Sequence, residues 1–194
     1  MARKVAVLVG SLRKASLNRK MAMALAELAG ADLSLEIVEI GDLPLYDEDL
    51  EAAVPPAWER FRKEVATSDA VLFVTPEYNR SVPGLLKNAI DVGSRPYGHS
   101  VFSGKPAAVV SVSPGAIGGF GANHHLRQSL VFLDMPVLQQ PEAYIGGAAR
   151  LFGEDGRLVS DDARAFLRKF LAAFAAWIEK SLGPANKPGA STGQ

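Results

Sequence analysis

Three short segments carry side chains suited to holding a small anionic ligand. The first is Gly10-Ser11-Leu12-Arg13-Lys14-Ala15-Ser16-Leu17-Asn18. The hydroxyls of Ser11 and Ser16 and the amide of Asn18 are short donors, and Arg13 adds a charged fork that suits phosphate oxygens. A helix starting at Ser16 would aim free backbone N–H groups and its positive end at the same point. A capped helix behind a polar loop accounts for the same residues. No GxxxxGKS/T stretch is present, and no GxGxxG follows a strand, so neither nucleotide fingerprint applies. Both absences point to a mononucleotide.

The second segment, Pro76-Glu77-Tyr78-Asn79-Arg80-Ser81, offers a planar surface. Tyr78 has a face for stacking, Asn79 and the loop amides can meet ring heteroatoms, and Pro76 stiffens the turn. A surface turn with one tyrosine explains it equally. The third, Ser113-Pro114-Gly115-Ala116-Ile117-Gly118-Gly119, lets backbone approach a flat ligand closely, although glycine also suits a flexible turn.

Other chemistries fit poorly. Ser111-Val112-Ser113-Pro114-Gly115 looks like a nucleophile elbow, but Pro114 has no N–H for an oxyanion hole. No Asp or Glu stands between Ser113 and the histidines that follow it, His124 and His125. Those neighbours point about 100° apart on a helix and cannot share a metal; with His99 the other histidine, no metal site is expected. Asp47, Glu48, Asp49 and Glu51 read as a solvated loop. A receiver domain would need acids after the first strand, where Val9-Gly10-Ser11 stands. There is no cysteine, so thiolate, disulfide and Cys-ligated zinc chemistry are excluded and any redox step needs a bound cofactor.

The elements that would carry these loops alternate along the chain. Val5–Val9 is continuously apolar, as a strand buried on both faces is, and Ala70–Thr75 and Ala107–Val112 read as further buried strands. Residues 33–40 alternate like a strand nearer an edge, and Met135–Leu138 reads as a short fifth strand. Helices are expected over 16–29 with Ser16 as cap, 57–67, 83–92 with Pro83 in the first turn, 119–134 and 161–182. On the last, Phe166, Phe170, Phe174, Trp177 and Ile178 should face inward. Asp42–Pro56 is an acidic, proline-containing loop. This pattern predicts an α/β fold: one domain over residues 1–182 with a five-stranded parallel sheet in flavodoxin-like order 2-1-3-4-5 and helices on both faces. Ligands bind such sheets beyond the carboxyl ends of the strands. Residues 183–194, whose apolar members are all Ala, are expected to be disordered.

Composition narrows the partners. Lys plus Arg is 21 and Asp plus Glu is 21 in 194 residues, so the net charge is zero. Such a surface has no strong field for nucleic acid or an anionic membrane. No apolar run approaches the ~18 residues of a membrane helix, and the N-terminal run is too short for a signal peptide. A cytoplasmic protein is expected.

The residues also carry a specific resemblance. Gly10-Ser11-Leu12-Arg13 with Ser16 and Asn18, then Thr75-Pro76-Glu77-Tyr78-Asn79-Arg80-Ser81-Val82-Pro83-Gly84 with Leu86-Lys87-Asn88-Ala89-Ile90-Asp91, resemble the NADPH-dependent FMN reductase family. Ser113-Pro114-Gly115 and Gly118-Gly119 with Leu126-Arg127 are similar to its branch of quinone and chromate reductases. The resemblance covers about residues 4–182. It implies non-covalent FMN, homodimers or homotetramers, and NAD(P)H-driven two-electron reduction of quinones, metal oxyanions, azo or nitro compounds or free flavin. By position, it assigns Ser11, Arg13, Ser16, Leu17 and Asn18 to the FMN phosphate. It assigns Pro76, Glu77, Tyr78, Asn79 and Ser113 to the flavin ring and ribityl chain. Val92 departs from it, standing where many members have a large aromatic; its effect on the subunit contact or acceptor pocket is left open by the sequence. No side chain is placed as general acid or base; Tyr78 is expected to position the ring or its visitor, and one open face implies ping-pong kinetics. A flavodoxin-like electron carrier is the alternative, although such carriers tend to be acidic with a Thr-rich phosphate loop.

Overall fold

The computed structural model describes residues 1–184. Five parallel strands, β1 (Arg3–Val9), β2 (Leu33–Val38), β3 (Ala70–Thr75), β4 (Ala107–Val112) and β5 (Ala143–Ile145), pair in the order β2-β1-β3-β4-β5. The helices are α1 (Leu17–Leu28), α2 (Pro56–Ala66), α3 (Gly84–Gly93), α4 (Phe120–Phe132) and α5 (Asp161–Leu182). The flavodoxin-like strand order expected from the alternation is the one observed. The tail expected to be disordered lies, from residue 185 on, outside the described residues.

The inner strands β1, β3 and β4 are largely apolar because both faces are covered, whereas β2 at the edge alternates. Val5, Val7 and Val9 of β1 pack with Met21 and Leu25 of α1 and Phe170 and Phe174 of α5. Ala6 and Leu8 pack on the other face with Trp58 and Phe61 of α2, Leu86 of α3 and Leu126 of α4. Phe61, Phe73 and Phe102 are fully buried there, each burial being worth about 1.5–3 kcal/mol. On α5 the inward stripe is Leu167, Phe170, Leu171, Phe174 and Ile178; Phe166 and Trp177 stand half-buried at its edges. Residues 48–53 of the acidic loop form a 3₁₀ turn, capped by Asp47 and fastened by a part-buried Glu51–Arg62 ion pair.

Two expectations need correction. The edge strand is not Met135–Leu138. Ala107 donates to Pro136 O and accepts from Leu138 N, which pairs that segment with the very start of β4 through the Ala107–Val137 bridge. Pro141, which has no N–H, lies in the gap that follows; pairing resumes at Ala143–Ile145, beside Val110–Val112. A buried polar relay fills the interruption. Asn123 Nδ2 donates to Ser111 Oγ (3.2 Å) and Ala143 O (3.4 Å), while Arg127 donates to Asn123 Oδ1 and Leu138 O, both at 2.9 Å. Val92, whose effect the sequence left open, lies in neither a surface patch nor a pocket. It is fully buried in the core between sheet and helices. Second, Pro83 is the N-cap of α3 rather than a residue of its first turn.

Candidate functional site

The loops after β1, β3 and β4 meet at one rim and enclose a cleft of about 230 Å³. It is lined by Ser11, Arg13, Ser16, Leu17, Asn18, Pro76, Glu77, Tyr78 and Ser113, with Val112 and Pro114 added. Ligand pockets typically reach ~300–1,000 Å³, so this shallow cleft leaves much of an occupant uncovered. Of the residues expected at a site, Asn79 alone is outside the lining.

The β1 end of the cleft is built for an anion. Ser16 caps α1, its Oγ accepting the Arg19 N–H at 3.1 Å. Among the described residues the N–H groups of Leu17 and Asn18, the first two of the helix, have no acceptor. Arg13 is exposed beside them. Asn18 is buried, with a long Nδ2 contact to Val112 O (3.5 Å), and its Oδ1 is an orphaned buried acceptor. Leaving a buried acceptor unmet costs about 1–3 kcal/mol, which a ligand hydroxyl would recover. Gly10 is kept for space rather than for a left-handed turn: a Cβ there would stand 3.2 Å from Pro76 Cδ.

The β3 loop is a two-residue hairpin. Tyr78 N donates to Ser81 O at 3.2 Å and Ser81 N to Tyr78 O at 2.9 Å. Asn79 and Arg80 between them have φ of 51° and 61°, as a mirror-image type I′ turn requires. This geometry puts Asn79 at an exposed turn tip, next to Tyr78 but outside the residues that line the cleft. The usual turn sequence is Asn-Gly; an arginine in the left-handed region costs about 1–2 kcal/mol.

Glu77 lines the cleft and is also tied to the neighbouring helix. Its carboxylate turns to α4, where Oε2 accepts the Ala122 N–H at 3.0 Å and Oε1 accepts from Arg80 at 3.1 Å. Ser81 Oγ stands 2.7 Å from His125 Nδ1. A Cβ on Gly121 would come within 3.0 Å of both Arg80 O and Glu77 Oε2, so α4 needs glycine there for the hairpin to dock. Sequence reasoning missed this clamp, whose partners are far apart along the chain. Tyr78 is left half-exposed over the cleft.

The glycines of the third loop serve packing first. Gly118 has φ of 67°, and a Cβ there would lie 2.6 Å from the Tyr144 carbonyl carbon. Ser113 Oγ accepts from Gly115 N at 3.1 Å, closing the turn. His124 and His125 diverge: His124 Nε2 lies 2.9 Å from the Tyr144 hydroxyl, in a cluster with Phe120, while His125 holds Ser81. Burial, then the neighbouring Glu142 carboxylate, push the Tyr144 hydroxyl up to about 12. A second hollow of about 360 Å³ lies behind the β1 loop, where Arg19 is tied to Glu39 at 2.6 Å; the free helix N–H groups belong to the smaller cleft.

Comparison with known proteins places these features in context. The model of the NADPH-dependent FMN reductase family matches residues 3–150. A quinone reductase of Pseudomonas putida is 72% identical over 176 residues, covering 90% of this chain and 94% of that protein. A 2-hydroxy-1,4-benzoquinone reductase of a Burkholderia species is 47% identical over 178 residues, covering 92% and 97%. The solved structure of FerB, a flavoenzyme NAD(P)H:(acceptor) oxidoreductase of Paracoccus denitrificans, superposes with a TM-score of 0.88 at 46% identity, covering 93% of this chain and 99% of that one.

Proposed function

The chain belongs to the NADPH-dependent FMN reductase family, and from that premise we propose that it is an FMN-dependent NAD(P)H oxidoreductase whose acceptors are quinones. The observation that carries the cofactor assignment is the orphaned Asn18 Oδ1 beside two unpaired helix N–H groups. The pair fits a phosphate ester of a polyol: the N–H groups and Arg13 meet the phosphate, and a ribityl hydroxyl donates to Asn18. One phosphate is what the cleft can seat, as it offers a single helix terminus.

When bound, FMN supplies the hydride and electron transfer, which no side chain of this cysteine-free site performs. The protein's work is positional. Ser11, Arg13, Ser16, Leu17 and Asn18 hold the phosphate end. Pro76, the Glu77 backbone, Tyr78 and Ser113 flank the ring, and Val112 and Pro114 keep water from its floor. The clamp of Glu77 and His125 on α4 fixes Tyr78. The cleft is open on one side, so donor and acceptor use the same face in alternation.

The assembly belongs to this reading as a homodimer or homotetramer. On α4, Val131 and Phe132 are each 75% exposed, and beside Phe132 is a hollow between α3 and α4. A two-fold partner there would cover apolar surface. Light scattering of the holoprotein tests it; a monomer at micromolar concentration contradicts it. We place the protein in the cytoplasm: it uses no disulfide, and no helix among the described residues is long and apolar enough to cross a membrane. Cell fractionation tests this.

The decisive experiment is the absorbance spectrum of the purified protein, followed by NAD(P)H oxidation with a quinone. A yellow protein that releases FMN on denaturation and turns over supports the reading. Failure to bind FMN on reconstitution refutes it, and FMN binding without turnover favours an electron carrier.

A further inference from the structure

Arg80 occupies a backbone position that a mirror-image hairpin reserves for glycine. Its side chain is 73% exposed, and its salt bridge is a single NH1 contact to Glu77. One contact from so exposed an arginine, even to the largely buried Glu77, returns no more than about the 1–2 kcal/mol that the left-handed backbone costs. The side chain is therefore not kept for folding. Glu77, itself tied to α4, holds the guanidinium at the rim with most of its five donors turned to solvent. Arg13 and Lys14 are the cations of the β1 loop, while Arg80 stands two residues from Tyr78, at the proposed ring end.

We propose that Arg80 receives the pyrophosphate of the nicotinamide donor. This rests on the reading above, in which the ring lies beside Tyr78. A nicotinamide stacked on that ring trails its ribose and doubly charged pyrophosphate across the rim. The chain's net charge is zero, so no general field retains those charges. A planar guanidinium fork binds two phosphate oxygens at once, and the hairpin clamp presents it ready-placed.

The test is the holoprotein of Arg80→Gly, in which the turn is relieved rather than strained. Three donors are compared: NADH, NADPH and 1-benzyl-1,4-dihydronicotinamide, which carries no phosphate. ADP-ribose, a pyrophosphate without the nicotinamide, is titrated by calorimetry. Expected are a 10- to 100-fold fall in kcat/KM for both dinucleotides, mostly through KM, and a matching loss of ADP-ribose affinity. The benzyl donor, the FMN dissociation constant and the assembly state should not change, and the thermal midpoint should hold or rise. An equal fall with the benzyl donor, no fall with any donor, or an altered assembly state overturns the proposal. A wild-type protein that binds FMN and oxidises NADH leaves the functional reading standing when the Arg80 prediction fails; one that does neither removes both.

Discussion

Glu77 caps a helix to which it does not belong: its Oε2 accepts the Ala122 N–H at 3.0 Å. Gly119 occupies the N-cap of α4 and has no side chain to do so. The carboxylate also meets the positive end of the helix, and joins the hairpin carrying Tyr78 to the helix carrying His125.

Glu77→Ala should therefore act at two places. Losing a cap costs about 0.5–2 kcal/mol, which lowers the melting midpoint by several degrees in a chain of this size. The released hairpin should raise the FMN dissociation constant about 3- to 10-fold, by analogy with a lost hydrogen bond of about 1 kcal/mol. Glu77→Gln keeps an acceptor for Ala122 and should recover most of both. Fluorescence titration and melting curves check this; if Gln behaves like Ala, the carboxylate's hydrogen bond is not what matters.

Arg13→Ala should weaken FMN by about 1.5–3 kcal/mol, the worth of a hydrogen bond to a charged group. Its side chain is in an exposed loop, so the melting midpoint of the apoprotein should not move. An unchanged dissociation constant would remove Arg13 from the site.

Asn123 is fully buried and contacts Ser111, Ala143 and Arg127. Asn123→Ala removes one hydrogen-bond partner each from the Ser111 hydroxyl and the Arg127 guanidinium, which keep Ala143 O and Leu138 O. A loss of about 2 kcal/mol is expected, with faster hydrogen exchange at the Ala143–Ile145 amides than elsewhere in the sheet. Uniform exchange across the sheet would show that the relay does not secure the edge.

The positions of these residues were unequally legible in the sequence. Strands β1, β3 and β4 announced themselves because burial on both faces makes them largely apolar. The edge strand did not, since a gap containing Pro141 divides it and the paired remainder, Ala143–Ile145, is too short to show a period. The β1 loop was readable from its donors, and Asn18 falls where they converge. Asn79 was not, because Asn-Arg does not signal a mirror-image turn as Asn-Gly does. The role of Glu77 depends on a backbone N–H 45 residues away, which no local pattern encodes.

Tyr144 sets a pH dependence. Its hydroxyl is pushed from 10 up to about 12 in the fold, chiefly by burial and then by Glu142. The native state thus holds this proton more tightly than the unfolded chain. The stabilisation is fully present below pH about 10 and is lost as pH rises toward 12. Tyr144→Phe cannot ionise, so its melting midpoint should fall less steeply than that of wild type over that window. Parallel curves would contradict the assignment.

The kinetic order follows from the shape of the cleft. That cleft is shallow, about 230 Å³, and Pro76, Tyr78, Val112, Ser113 and Pro114 line it beside the phosphate-end residues. A ring lying there exposes one face, and one face cannot hold a nicotinamide and a quinone together. NAD(P)H must leave before the acceptor enters, so reciprocal plots of initial velocity should be parallel. Tyr78 is 53% exposed and contributes only its ring to the wall, so Tyr78→Ala should lower kcat/KM for both substrates. An aromatic contact is worth about 0.5–1.5 kcal/mol beyond area, hence a fall of roughly 2- to 10-fold without loss of turnover. Initial velocities against both substrates check this, and intersecting lines would show a ternary complex and refute the single shared face.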